Sequence, residues 1–499
     1  MGKGDHTSPT RAGARHGAPP SPPPAPRARP AGHTVTPPDK STDPAVGTLL
    51  AAVLGLVMLA DWSGEEWYRT AAGVLVLPLV ALLSFDAAWP RRVFVIVAGA
   101  LVAAAALTRD DWSAITGAGL GTAAFIAAFF TALATLRNAS ASSPSIQTCG
   151  RFLAAQPPGR RYAALTVGGQ LFGMLLNYGA LVLLGTLAEA NAAREPDPEI
   201  RGHRIRRMLL AIQRGFVSTL AWSPLAFAMA ISTTLVPGAS WAAAVGPCLV
   251  SAAILAGTGW ALDTIFKPRL SHPAPPRARP EGSWASLWPL VALLVILAVV
   301  VGGLHIATGI AATGVVMAVV PVLSLGWVGL QSIGSRPLAR VAMRARDYAV
   351  RDLPGYRGEI LLLMMAGFIG TLGSRLLGPL AAGTGLDLAA LPGWQILLGL
   401  VWLIPLTGQL GMNPILSVSL VAPLLPPAAA MGVTPADVIV AITAGWALSG
   451  ASSPYTATTL LIGALGKVGA RTVGLRWNGA YTLVCGVLLS GWVVLRAVL

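Results

Sequence analysis

Residues 394–428 read WQILLGLVWLIPLTGQLGMNPILSVSLVAPLLPPA, an apolar run of 35 residues. One helical crossing of a bilayer needs only about 20. The run is interrupted at its middle by Gly408-Gln409-Leu410-Gly411-Met412-Asn413-Pro414. Proline lacks an N–H, and glycine and asparagine accept turned backbone. Inside hydrocarbon, irregular backbone survives only where protein or a cavity surrounds it. The run is therefore predicted to enter the membrane, turn and leave by the same side, as a re-entrant hairpin. A second run, 162–189, carries Gly169-Gln170-Leu171-Phe172-Gly173-Met174 and then Asn177. It matches the first break with one inserted residue and is assigned the same way.

The rest of the chain agrees with a membrane setting. Of 499 residues, 54% are hydrophobic and 11% charged, with mean hydropathy +0.67. So little charge cannot cover a soluble globule of this size. Eleven further apolar blocks lie between 46 and 497 and show no strand-like alternation. The expected fold class is an all-α polytopic membrane protein, with about 11 transmembrane helices and two re-entrant hairpins in an inverted repeat. The net charge of +15 does not read as nucleic-acid binding, because the basic residues fall between apolar blocks. Cys149, Cys248 and Cys485 are far apart and read as packing residues, not a disulfide or metal site.

Charge tests the topology. With the N-terminus inside, 31 of the 35 Lys and Arg fall in cytoplasmic segments; only Arg69, Arg109, Arg375 and Arg496 fall outside. This is the positive-inside pattern. Reading either hairpin as a single crossing would flip every later loop. The expected organisation is a Pro- and Arg-rich disordered cytoplasmic tail, 1–45, and an extra first helix and loop, 46–69. A first repeat, 70–265, holds hairpin 162–189. A cytoplasmic linker, 266–284, leads to a second repeat, 285–499, with hairpin 394–428. The chain is expected in the cytoplasmic (inner) membrane, N-terminus inside and C-terminus outside. The basic segment 198–214 reads as a loop or an amphipathic helix on the inner leaflet.

Each repeat also carries a polar break within an apolar helix: Ser218-Thr219-Leu220-Ala221-Trp222-Ser223-Pro224, and Ser449-Gly450-Ala451-Ser452-Ser453-Pro454. A broken helix presents carbonyls that can hold a cation and N–H groups that can hold an anion. Substrate contacts are expected from Gln170, Asn177, Ser223, Gln409, Asn413, Ser449, Ser452, Ser453 and Thr456. A sodium ion would sit near Gly169, Ser218, Thr219, Thr407 and Gly450. These segments, as bounded here, contain no charged residue, so sodium coupling fits better than proton coupling. His305 reads as interfacial.

The alternating layout resembles the ion transporter superfamily, which includes divalent-anion/sodium symporters and the large permeases of tripartite (TRAP) transporters. The local likeness lies in 407–460: Gly-Met before the break, Pro414, Pro423, Pro426, Pro427, Gly432 and Pro435. The symporters' Ser-Asn-Thr hairpin tips are absent here, and Ser453-Pro454-Tyr455 stands where TRAP permeases have Thr-Pro-Pro. The resemblance implies an elevator-type secondary transporter for a small, carboxylate-like anion, sodium-coupled symport and a homodimeric scaffold. A second reading is the large membrane subunit of a multi-component transporter, with accessory subunits. An integral-membrane enzyme is disfavoured: no HExxH or GxSxG occurs, and no acid or histidine sits in a break to serve as a base. Beyond sodium, no cofactor is expected; the partners are the solute and the bilayer.

Overall fold

A backbone in hydrocarbon must satisfy its own hydrogen bonds, and these apolar blocks do so as helices. In a computed structural model the chain is described at residues 1, 2, 4, 42–85, 87–141, 143–268, 270–271, 282–331, 337–383 and 388–499. The tail thus lies outside the described residues except at its two ends, as does most of the linker 266–284. Everything below belongs to the unit Thr36–Leu499.

Four long helices come first: α1 (Asp43–Ser63), α2 (Glu66–Phe85), α3 (Trp89–Thr108) and α4 (Trp112–Ala141). A short α5 (Pro144–Ala154) leads to the first helical pair, α6 (Pro158–Leu176) and α7 (Gly179–Ala193). Next are α8 (Pro198–Thr219), α9 (Phe227–Leu235) and α10 (Trp241–Ile265). The second half holds α11 (Trp288–Thr308), α12 (Ala312–Gln331), α13 (Pro337–Asp347) and α14 (Arg357–Gly383). The second pair is α15 (Gly393–Gln409) and α16 (Pro414–Val421). The chain ends with α17 (Pro435–Ser452), α18 (Ala457–Gly466) and α19 (Gly479–Val498). No strand occurs among the described residues. Ten helical stretches there are long and apolar enough to cross a membrane. The protein is an all-α polytopic membrane protein.

Several boundaries differ from the expected ones. The first helix starts at Asp43, inside the expected tail, because Pro44 suits a helical first turn. The first pair is longer than 162–189, running 158–193. Its turn falls at Asn177–Tyr178, seven residues beyond Gln170, which lies within α6. The segment 198–214 is helical, with 198–207 exposed or half-buried and 208–214 buried. It begins α8, capped by Asp197, whose side chain accepts from the N–H groups of Glu199 and Ile200. From Met208 to Thr219 every residue is buried. Loop 330–357 contains α13 and a π-helical turn, Tyr348–Asp352.

Helix packing falls into two groups. In one, α4 packs on α1, α2, α12 and α14, and α14 also packs on α3. In the other, α8 and α17 are central, with α6, α7 and α10 around α8 and α15 and α19 around α17. Helix α16 bridges them by packing on α14 and α15. Burial follows: 100% of the apolar window in Pro435–Gly466 is inside, against 11% for Trp89–Thr108. The first is core; the second faces lipid.

The two halves pack alike. Helix α6 lies on α8 as α15 lies on α17, and α10 touches α8 as α19 touches α17. The halves also cross over: α7 packs on α18, and α9 packs on α16.

Candidate substrate site at two helix breaks

The first break separates α8 from α9. Ser223 donates its N–H to the carbonyl of Thr219 (2.9 Å), and its Oγ accepts the N–H of Leu225 (3.3 Å). Pro224 between them cannot continue the ladder. The second break, between α17 and α18, repeats the arrangement. Ser453 donates its N–H to Ser449 (2.9 Å), and its Oγ accepts the N–H of Tyr455 (3.3 Å) across Pro454. Ser453 Oγ also donates to the carbonyl of Gly408 (2.7 Å). Thr456 and Thr459 donate to the Ser453 carbonyl at 2.9 and 2.6 Å, and Thr458 donates to Gly450.

Each break is held by the helical pair of its own half. Gln170 Nε2 donates to Ser218 Oγ (2.7 Å), one turn before the first break. Gln409 Nε2 donates to Ser452 Oγ (3.2 Å), at the second. Glycines permit this closeness. A Cβ on Gly215 would lie 2.2 Å from the Thr166 carbonyl, and one on Gly169 would lie 2.5 Å from that of Ile212. In the other half, a Cβ on Gly445 would meet the Leu400 carbonyl at 2.7 Å. The two breaks also meet each other, with Gly450 against Val217 and Leu220.

The expected site residues therefore divide. Gln170, Gln409, Ser452 and Ser453 join the helical pairs to the breaks, and Thr456 closes the second break. Ser449 is fully buried, and its Oγ faces Gly408 with no hydrogen-bond partner among the described residues. The hydroxyl of Ser223 is taken up in its own turn. Asn413 caps α16, its Oδ1 accepting the N–H of Ile415 (2.9 Å). Asn177 forms the first turn, at φ +49°. Of the residues named for sodium, Ser218 Oγ donates to Gly215, Thr219 Oγ1 to Phe216 and Thr407 Oγ1 to Leu403, each oxygen keeping lone pairs, and the Gly450 carbonyl accepts from Thr458. No His, Cys, Asp and Glu group suited to a metal ion occurs among the described residues.

Two features escape a reading of the sequence. A cavity of about 710 Å³ lies beside Pro224, between α9 and the helices α1, α2 and α4. Its lining mixes hydroxyls (Thr70, Thr122, Thr233) with Phe125, Trp241 and the Asp61–Arg69 ion pair. No residue expected to contact substrate lines it. The second feature is Arg214, counted with the cytoplasmic charge but buried within α8 at 5% exposure. Its only sequence signal is its place four residues before Ser218.

No protein-family model matches the chain, and no curated protein matches it. Solved structures do. The chain is similar to the YdaH transporter of Alcanivorax borkumensis, whose crystal structure is described as having an unusual topology. The TM-score is 0.54 and the identity 18%, over 82% of this chain and 98% of that one. It is also similar to MtrF of Neisseria gonorrhoeae, described as illuminating a class of antimetabolite efflux pumps. There the TM-score is 0.49 and the identity 14%, over 84% and 97% of the two chains. The likeness is one of fold.

Proposed function

We propose that the chain is a secondary transporter of the cytoplasmic membrane that moves a small organic anion by an elevator-type mechanism. The observation that carries this reading is the pair of Gln–Ser bonds, Gln170 to Ser218 and Gln409 to Ser452, at two broken helices that touch. A single break is a common kink. Two breaks, each pinned by a helical pair and packed against each other, concentrate turned backbone at one place, where a transporter needs it. The fold shared with a known transporter supports the same reading. The two halves form an inverted repeat in this reading, and α6–α7 and α15–α16 are re-entrant hairpins.

The two packing groups supply a scaffold and a moving unit. The scaffold is α1–α4, α11, α12 and α14; the moving unit carries both hairpins and both breaks. The cavity beside Pro224 lies between them and forms the approach to the site. A sodium ion, where coupled, displaces the internal hydrogen bonds of the hydroxyls and carbonyls at the second break; the unpartnered Ser449 Oγ offers it a first ligand. The scaffold serves as the homodimer contact.

Uptake by purified protein in liposomes tests this. Each lost hydrogen bond to a charged solute is worth roughly 1.5–3 kcal/mol, about ten- to a hundredfold in affinity. Gln409→Ala and Ser453→Ala are expected to raise KM on that scale with normal expression. If both take up solute like the parent, the breaks are packing devices and the reading is wrong.

A further inference from the structure

Arg214 presents an unbalanced charge. Its Nε donates to Asn478 Oδ1 (3.0 Å), Nη1 to the hydroxyl of Tyr162 (3.1 Å) and Nη2 to the carbonyl of Trp477 (3.3 Å). Its guanidinium lies over the Tyr481 ring, 4.4 Å from the centroid. Every partner is neutral, and no carboxylate touches it among the described residues. The acid closest along these helices, Asp263, is occupied by Arg207 through bonds of 2.8 and 2.6 Å. A buried cation without a counter-charge is costly, and inside a membrane protein an ionisable group is by default functional.

Its position gives the charge a purpose. Arg214 lies one helical turn before Ser218, so the two share a face of α8 about 5–6 Å apart at their Cβ atoms. Superposing the halves on their break serines, Ser223 on Ser453, sets Gly215 on Gly445 and places Ala444 opposite Arg214. The two breaks are thus alike in backbone and unlike in charge. The second half fills the matching place with a small neutral side chain, Ala444, which is buried.

We propose that Arg214 makes the first break the anion subsite of the transporter: the transported anion, held near Gln170 and Ser218, is the counter-charge that Arg214 lacks. This rests on the anion-transport reading above. Arg214 is a positioning residue, acting through its field and not through contact. The same field repels a cation from Gly169, Ser218 and Thr219, which leaves the second break, with the unpartnered Ser449 Oγ, as the place for a coupling ion. A unit charge at this distance in a partly shielded interior changes affinity for an anion roughly tenfold.

Asn478→Asp is the informative variant. It sets a carboxylate against Arg214 Nε without changing side-chain size; of the two acceptors of Asn478 Nδ2, Gln213 (3.0 Å) can turn its amide to donate, while the Val473 carbonyl (3.2 Å) loses this donor. The measurement is uptake of radiolabelled acetate, succinate, citrate and neutral mannitol into proteoliposomes, beside melting temperature. For the carboxylate the parent carries, Asn478→Asp is expected to raise KM roughly tenfold with kcat within about twofold, the melting temperature checking that the fold survives the loss of the donor to Val473. Arg214→Lys, which keeps the charge, should stay within roughly threefold of the parent, and Arg214→Met should match Asn478→Asp. An unchanged KM in Asn478→Asp overturns the proposal and leaves Arg214 a structural tie, with the anion reading intact. A parent that carries mannitol and none of the carboxylates overturns the anion reading itself, and the proposal with it.

Discussion

Gly215 sets how closely α8 and α6 can approach. Its missing side chain lets α8 touch the Thr166 carbonyl, and Gly169 on α6 does the same toward Ile212. Small residues at such a seam let helix backbones approach in a membrane, where no hydrophobic force drives helices together. Overpacking a core usually costs about 1–3 kcal/mol; here the obstacle is backbone, which cannot turn aside, so Gly215→Val should exceed that range. The measurement is melting temperature in detergent. Gly246→Ala, on α10 with nothing within 4 Å of the added carbon, is the reference and should melt like the parent. A parent-like melting temperature for Gly215→Val would sink this account of the seam. Residues of this kind were only partly legible in the sequence. Gln170 and Gln409 stood out because each precedes a polar break by a similar distance. Arg214 did not, because counting charge by segment assigns an arginine to the nearest loop. Only packing reveals that α8 carries it past the polar boundary into the core.

At the scale of elements, the two broken helices pack directly on each other. A Cβ on Gly450 would lie 4.0 Å from the Cβ of Val217, within the usual 3.5–4.5 Å span of a disulfide. The π-helical turn Thr472–Trp477 reinforces the junction: Gly474 packs on the Ser452 carbonyl, and Asn478 beyond it bonds to Gln213 and Arg214 of α8. If both breaks ride in one moving unit, locking them together should not stop transport. Val217→Cys with Gly450→Cys, with the three buried native cysteines replaced by alanine, is expected to cross-link on mild oxidation and keep uptake within about twofold. Cross-linking that abolishes uptake would show that the helices part during the cycle. The long helices of this architecture were readable because about 20 apolar residues in a row admit few structures. Short α5 and α13 were not, because 11 residues with mixed polarity look like loop. The glycines of Gly169-Gln170 suggest a bend, yet they serve helix contact, and the chain turns at Asn177.

For the whole molecule the decisive question is whether α8–α9 crosses the membrane. The other ten crossings qualify on length and apolarity alone. This one does not, because Arg201, Arg204, Arg206 and Arg207 load its first turns. Ion pairs supply the missing argument. Arg207, in the first half of α8, holds Asp263 near the end of α10 (2.6 Å), so the two lie toward one side. Helix α10, 25 residues long and apolar, crosses once between them. The chain from Arg207 to Trp241 must then cross the other way, and α8–α9 is that crossing. Other pairs fit the same parity: Asp43 with Arg357 and Glu189 with Lys467 join segments that charge counting puts inside, and Arg496 with Asp437 joins segments that it puts outside. With α8–α9 proposed as an eleventh crossing beside the ten candidate spans, the odd number predicts a C-terminus opposite the N-terminus. A cysteine replacing Leu499 in a Cys-free background should therefore react with an impermeant maleimide added to intact cells. One replacing Ser271, just after α10, should react only once the cells are opened. Should the cysteine at 271 react in intact cells and the one at 499 only after opening, α8–α9 does not cross, and the two breaks would no longer lie in helices of opposite direction. The inverted repeat would fall with them, because its symmetry requires the first break to face one side of the membrane and the second the other.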